Sequence, residues 1–203
     1  MQQNLTTKIK MQQKHILLEN LKNKYAQCTA CPLGKLGRTS IVFGRGNPEA
    51  SLVLIGEGPG AEEDRQGKPF VGASGKLLMH ALSAVGITES DIYITNIVKC
   101  RPPENRQPTP QESTTCTSLL LWKQLEIIQP KLIGLFGATA LTYTIGNATP
   151  ISRIRGTLKN HGGYSFIPTY HPAYILRNRS ALLHFTQDLE KMAQFLSSIK
   201  SLT

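Results

Sequence analysis

Apolar residues along this chain recur with two different periods, and the places where one gives way to the other mark its elements. Residues 14 to 26 carry apolar positions at helical spacing and lead straight into a Cys-x-x-Cys, while residues 1–13 are polar and are expected to form a flexible N-terminus. Four short β-rich runs follow: Ser51 to Ile55, Ile92 to Val98, Lys131 to Phe136 and Ser165 to Tyr170. The segments between them are long enough for helical crossovers, so the alternation predicts a parallel sheet. Helical periodicity covers residues 74 to 85 and about 180 to 198. A further helix start is written in Thr109-Pro110-Gln111-Glu112, which offers an N-cap, a proline where no amide partner is needed, and a capping-box glutamate. Cys116 then falls on that helix. The pattern predicts an α/β fold: one three-layer α/β/α domain over residues 14–203 around a central four-stranded parallel sheet.

Open parallel sheets bind ligands beyond the carboxyl ends of their strands. Four polar motifs share that address. Gly56-Glu57-Gly58-Pro59-Gly60 follows the first strand, Asn96 lies in the second, Gly137-Ala138-Thr139 ends the third, and His171-Pro172-Ala173-Tyr174 follows the fourth. Singly, each reads as a turn, a satisfied polar group or a structural histidine. Together they mark a site.

The four cysteines are Cys28, Cys31, Cys100 and Cys116, a close pair completed by two distant residues. That number suits one four-thiolate metal centre. Zinc ribbons usually bring their second pair as another short Cys-x-x-Cys, whereas 15 residues separate Cys100 from Cys116, which favours an iron-sulfur cluster. Two disulfides or four unconnected thiols are the competing readings. They fit less well with a chain that shows no secretory signal and is expected in the reducing cytoplasm, nucleoid-associated in a bacterium. No apolar run approaches membrane-spanning length, so no membrane partner is expected.

Lys and Arg total 23 against 13 Asp and Glu, for a net charge of +10, the long-range field of a nucleic-acid binder. Charge alone says little, since Lys8, Lys10, Lys14, Lys22 and Lys24 read as a solvated helix face. Clusters near loops say more: Lys99, Arg101 and Arg106; Arg153 and Arg155; Arg177 and Arg179. Those three groups are expected to line one phosphate-binding face.

From Tyr25 onward the chain resembles the iron-sulfur, family 4 branch of the uracil-DNA glycosylase superfamily. The residues that carry the resemblance are CTACPLG at 28 to 34, GEGPGAEED at 56 to 64, GKPFVGASGKLL at 67 to 78, YITNIVKCRPPENR at 93 to 106 and PTYHPAYILRN at 168 to 178. It implies a 4Fe-4S cluster held by the four cysteines, uracil-containing DNA as the partner, no nucleotide cofactor, and a monomer. It also implies hydrolysis of the deoxyuridine N-glycosidic bond, which leaves an abasic site for base excision repair, with no lyase step.

That chemistry asks for a flipped base in a pocket. The resemblance assigns Phe70 to stack the base and His171 to donate to uracil O2, where negative charge gathers as the bond breaks. Asn96 has the right groups to donate to uracil O4 and accept from N3–H, the reverse of what cytosine presents, provided a neighbour fixes its amide. Backbone amides around Gly56, Gly58 and Gly60 are further donors, and Glu63 is assigned to exclude a C5 methyl. Family 1 relatives carry an aspartate where Gly58 stands here, so Glu57 is the adjacent carboxylate for water activation or cation stabilisation. Ser74 and Lys76 open a helix toward a phosphate, Arg101, Arg106 and Arg177 face DNA, and Leu176 is the minor-groove wedge.

Two other classes remain open. A non-catalytic nucleic-acid-binding module with a structural metal leaves Phe70, Asn96 and His171 without employment. An electron-transfer protein leaves the basic surface unexplained. Covalently trapping relatives carry a His-bearing basic insertion after the Asn-Arg segment, whereas here Gln107-Pro108-Thr109 runs straight into the helix.

Overall fold

A computed structural model describes residues 2–201 of the chain. Its centre is a six-stranded sheet in the order β1-β3-β2-β4-β6-β5. The strands are β1 (Arg45–Gly46), β2 (Leu52–Gly56), β3 (Ile92–Asn96), β4 (Leu132–Phe136), β5 (Lys159–His161) and β6 (Tyr164–Thr169). The four expected strands pair in parallel, β3-β2-β4-β6, and β1 and β5 add short antiparallel edges. The sheet therefore exceeds the expected four strands. Both extra strands are two or three residues long and polar or glycine-bearing, too short to show a period.

Every residue of β2, β3 and β4 is buried, as expected of parallel strands covered on both faces. Alternate side chains serve two cores. On one face Val53, Ile55, Ile133, Leu135 and Phe166 meet α1 (Gln2–Lys24), the continuous α4 (Pro110–Cys116) to α5 (Trp122–Ile128) helical arm and α6 (Ala138–Ile145). On the other, Leu52, Leu54, Ile92, Ile94 and Phe136 meet α3 (Ala73–Ala84) and α9 (Leu182–Lys200). The shorter α2 (Ala61–Gln66), α7 (Ile151–Ile154) and α8 (Pro172–Arg177) follow β2, α6 and β6. The α1 backbone is helical back to Gln2, through the segment expected to be flexible, and the side chains of residues 2–11 lie outside the described set.

The capping signal before α4 is realised. The Glu112 amide donates to Thr109 Oγ1 at 3.3 Å and the Thr109 amide donates to Glu112 Oε2 at 2.8 Å. Cys116 closes α4, and a π turn over Thr117–Leu121 widens the helix before α5 resumes.

One buried ion pair ties α9 to the sheet. Asp188, 0 % exposed, accepts from Arg155 Nε at 2.9 Å, Arg155 Nη2 at 2.7 Å and Thr169 Oγ1 at 2.7 Å. Thr169 ends β6, two residues before His171, so this pair fixes the strand end that presents the histidine. Arg155, expected on a phosphate-binding face, is spent here, with its guanidinium also over the Tyr170 ring at 5.8 Å. Asp188→Ala leaves the partly buried Arg155 guanidinium with only the His184 carbonyl as acceptor and the Thr169 hydroxyl without its own, and should lower unfolding free energy by about 2–3 kcal/mol. Urea denaturation checks this; a loss under roughly 1 kcal/mol would show the pair to be dispensable.

Candidate active site and cysteine cavity

A cleft of about 630 Å³ opens at the carboxyl ends of β2, β3, β4 and β6. It gathers Glu57, Gly58, Gly60, Glu63, Phe70, Ser74, Asn96, Arg106, His171 and Arg177, which the sequence had scattered over four motifs. Gly56 lies buried beneath it, paired with Asn96 in the β2–β3 register. A Cβ at Gly56 would stand 2.5 Å from Asn96 Oδ1 and 2.6 Å from Phe70 Cζ, so only glycine fits. Asn96 lines the cleft, and its Oδ1 is buried with no hydrogen-bond partner. A lone acceptor of this kind is held at a real desolvation penalty, which a ligand donor would remove.

Phe70 is held in a conformation a bulky residue rarely adopts, with φ of +53°. Its surroundings enforce it. A Cβ at Gly75 would lie 2.1 Å from Phe70 O, so α3 starts with a glycine pressed against that carbonyl. Arg45 Nε donates to Pro69 O at 3.0 Å, while Arg45 itself pairs with Glu89. Most of the bracing comes from Glu63. Its Oε1 accepts from the amides of Val71 and Gly72 at 3.0 and 2.8 Å, and its Oε2 from the amide of Gly60 at 3.2 Å. One carboxylate thus clamps the glycine loop after β2 to the Phe70 loop. The Phe70 ring faces Phe136 at 6.4 Å and the His171 ring at 5.9 Å.

His171 caps α8. Its Nδ1 accepts from the Ala173 amide at 3.2 Å, so the neutral ring carries its proton on Nε2. Loss of solvent pulls its pKa from 6.5 down to about 4, with the nearby Arg177 charge acting in the same direction and Glu63 opposing. The imidazole is neutral at physiological pH.

Glu57 is oriented by two residues to which the sequence assigned no role. Thr139 Oγ1 donates to Glu57 Oε2 at 2.5 Å, and Gln107 Nε2 donates to Thr139 Oγ1 at 2.9 Å. The signal for Thr139 was its place just after β4; nothing in the local sequence of Gln107 marked it.

The basic residues divide sharply. Arg106 reaches the cleft but its guanidinium forms a fork with Glu112, 1 % exposed, at 2.8 Å on each oxygen. Arg101 Nε donates to Asn105 Oδ1 at 2.8 Å. Lys76 lies outside the cleft in an adjoining groove with Arg45 and Lys68. Leu176 is half-buried and does not line the cleft, whereas Tyr174, stacked on Tyr170 at 5.0 Å, does. Lys99, expected with the loop arginines, is wholly buried.

On the far side of that buried lysine, Cys28, Cys31, Cys100 and Cys116 line one small, almost wholly apolar cavity. All four are free thiols. Burial pushes the Cys100 thiol up to about 12 and that of Cys116 to about 11, and it pulls Lys99 down to about 7. Arg38 shapes the Cys-x-x-Cys loop, with Nη1 donating to Cys28 O at 2.9 Å and Gly34 O at 3.0 Å.

Comparison with known proteins bears on both sites. The family model described as "Uracil DNA glycosylase superfamily" matches residues 43–197. A type-4 uracil-DNA glycosylase of Thermotoga maritima is 47% identical over 184 residues, covering 89% of this chain and 95% of the relative. One of Archaeoglobus fulgidus is 37% identical, covering 87% and 92%. A type-5 uracil-DNA glycosylase of Pyrobaculum aerophilum is 28% identical, covering 79% and 84%.

The depressed His171 pKa gives a pH prediction. Between about 6.5 and about 4 the unfolded chain binds a proton that the folded ring refuses, so this residue's contribution to stability is full above 6.5 and falls as pH falls. In an NMR titration the His171 ring should reach its midpoint only near pH 4. A midpoint near 6.5 would mean that the ring is solvated and not held as described.

Proposed function

The chain belongs to the type-4 branch of the uracil-DNA glycosylase superfamily, and from that footing we propose how its own residues remove uracil from DNA. The observation that carries the reading is the buried, unpartnered Asn96 Oδ1 beside the strained Phe70 ring. An extrahelical uracil stacked on Phe70 gives Asn96 Oδ1 its missing donor, N3–H, while the Asn96 amide donates to O4. Cytosine offers a bare N3 to that oxygen and leaves it unpaired, which is the kind of mismatch that rejects an analogue strongly.

His171, neutral with its proton on Nε2, donates to uracil O2 as the departing base gathers negative charge. A neutral donor avoids a proton transfer and strengthens its bond only as the transition state forms. Amides of the loop from Gly56 to Gly60 add donors, and Glu57 directs water or stabilises the electron-poor sugar. Glu63, fixed by three amides, is a wall that cannot retreat from a C5 methyl. Ser74, Lys76, Arg101, Arg106 and Arg177 contact the DNA backbone, and Leu176 with its neighbour Tyr174 fills the vacated stack. In this reading the enzyme acts as a monomer whose single domain spans residues 14–203.

The cysteine cavity fits a 4Fe-4S cluster. Its donor set is four thiols with no carboxylate or imidazole. Among the described residues no group of three or more His, Cys, Asp or Glu is drawn together for a single ion, whose donors must converge to about 2.3 Å. A polynuclear cluster holds its four cysteines farther apart. When bound it supplies a rigid cross-link between the Cys28 loop and the Cys100–Cys116 segment. Bond hydrolysis itself transfers no electrons, so the work at the bond falls to the side chains.

Four measurements test this. Oligonucleotides carrying U, T or C should yield alkali-labile sites only at U; equal cleavage at T or C would refute the base-reading assignment. His171→Ala should lower the single-turnover rate by about 10² with little change in DNA affinity, and Glu57→Gln should also slow that step. Asn96→Ala and Asn96→Asp should both lose uracil excision, and if they match the parent, Asn96 does not read the base. The anaerobically purified protein should hold iron and sulfide and be brown, whereas zinc at full occupancy would reject the cluster.

A further inference from the structure

The largest side chain that this fold seals completely from solvent is a lysine, Lys99. An ammonium in such a place is stable only if its N–H groups find acceptors and its charge finds an opposing one. Two acceptors are present: Thr95 Oγ1 at 2.5 Å and the backbone carbonyl of Asn96 at 2.7 Å. Both are neutral. Lys99 also lines the cavity of the four cysteines. The lysine therefore lies between the metal site and the residue that reads the base.

The Asn96 carbonyl belongs to the last residue of β3, which pairs with Gly56. The bond from Lys99 fixes the peptide from which the Asn96 side chain projects. We propose that Lys99 is a positioning residue: its buried ammonium is the counter-charge of the thiolate-ligated cluster, and its bond to the Asn96 carbonyl makes the geometry of the base-reading amide depend on that cluster being present. This rests on the four cysteines being cluster ligands. It assigns the cluster a task in the uracil pocket beyond holding two loops together.

Arg38 provides the contrast. It is half-buried and grips only the Cys-x-x-Cys loop, through Cys28 O and Gly34 O, with no bond to β3. Its loss should loosen the metal site and leave the pocket alone.

The test uses the iron-loaded parent with Lys99→Met, Thr95→Val and Arg38→Met, and free uracil as the probe. Lys99→Met matches the lysine in length and lacks its donors. It should release iron to a chelator about 10-fold faster, in the range for loss of a group supporting metal ligands, and bind uracil about 10-fold more weakly. Its cluster should also be harder to reduce, because a cation beside it is gone. Thr95→Val should shift all three readouts the same way by less, and Arg38→Met should speed iron release with uracil affinity unchanged. A loaded Lys99→Met protein with the parent's reduction potential and uracil affinity overturns the proposal. If Lys99→Met does not fold, Thr95→Val decides, and unchanged values there overturn it. A parent without iron and sulfide refutes the cluster itself, whereas a loaded parent with unmoved variants refutes only the role of Lys99.

Discussion

The rest of the site is referenced to one register: parallel pairing of β2 and β3 that sets Gly56 beside Asn96. With no side chain at Gly56, the Asn96 amide and the Phe70 ring close over its Cα. The pairing continues past the strands, as the amides of Ile97 and Val98 donate to Gly56 O and Glu57 O at 2.9 and 3.1 Å. Glu57 therefore leaves the sheet one residue beyond the level of Asn96. A slip of one residue would turn both side chains to the opposite face and bury the carboxylate in a core of leucine and isoleucine. Parallel sheets buried on both sides resist such slips, because every position is already packed.

Much of this was legible in advance, for definable reasons. Strands β2 and β4 are apolar runs closed by glycine, β3 and β6 are rich in Ile, Tyr, Phe and Thr, and the α4 cap depends on groups only three residues apart. Such local signals survive folding. What escaped was set by partners distant in the chain. Whether Arg155 faces solvent or Asp188 is decided by a partner 33 positions away on a buried helix face. The clamp formed by Glu63 depends on loops that meet only once α2 and α3 are placed. The two edge strands are made by pairing alone, with no pattern of their own.

The charges carry a related lesson. A net charge of +10 suggests a broad cationic surface, yet Arg155, Arg38 and Lys99 are each committed to partners within the fold, and Arg106 reaches the cleft with its guanidinium already paired to Glu112. Arginine suits such work, since its planar fork satisfies a carboxylate or several carbonyls at once and its charge is never lost. The field that attracts a nucleic acid and the contacts that grip it are therefore supplied by partly different residues. Counting basic residues estimates the first and overstates the second.

Phe70 carries a consequence for any attempt to move this pocket elsewhere. A phenylalanine at φ +53° is strained by about 1–3 kcal/mol, and nothing in its own tetrapeptide relieves it. The conformation is imposed by Glu63 from α2, Gly75 from the first turn of α3 and Arg45 from the sheet edge. A loop grafted onto a foreign scaffold with its sequence intact would relax and turn the ring away. The portable unit is thus the set of constraints around the loop, and a designer would have to transplant those neighbours before the aromatic residue was worth including.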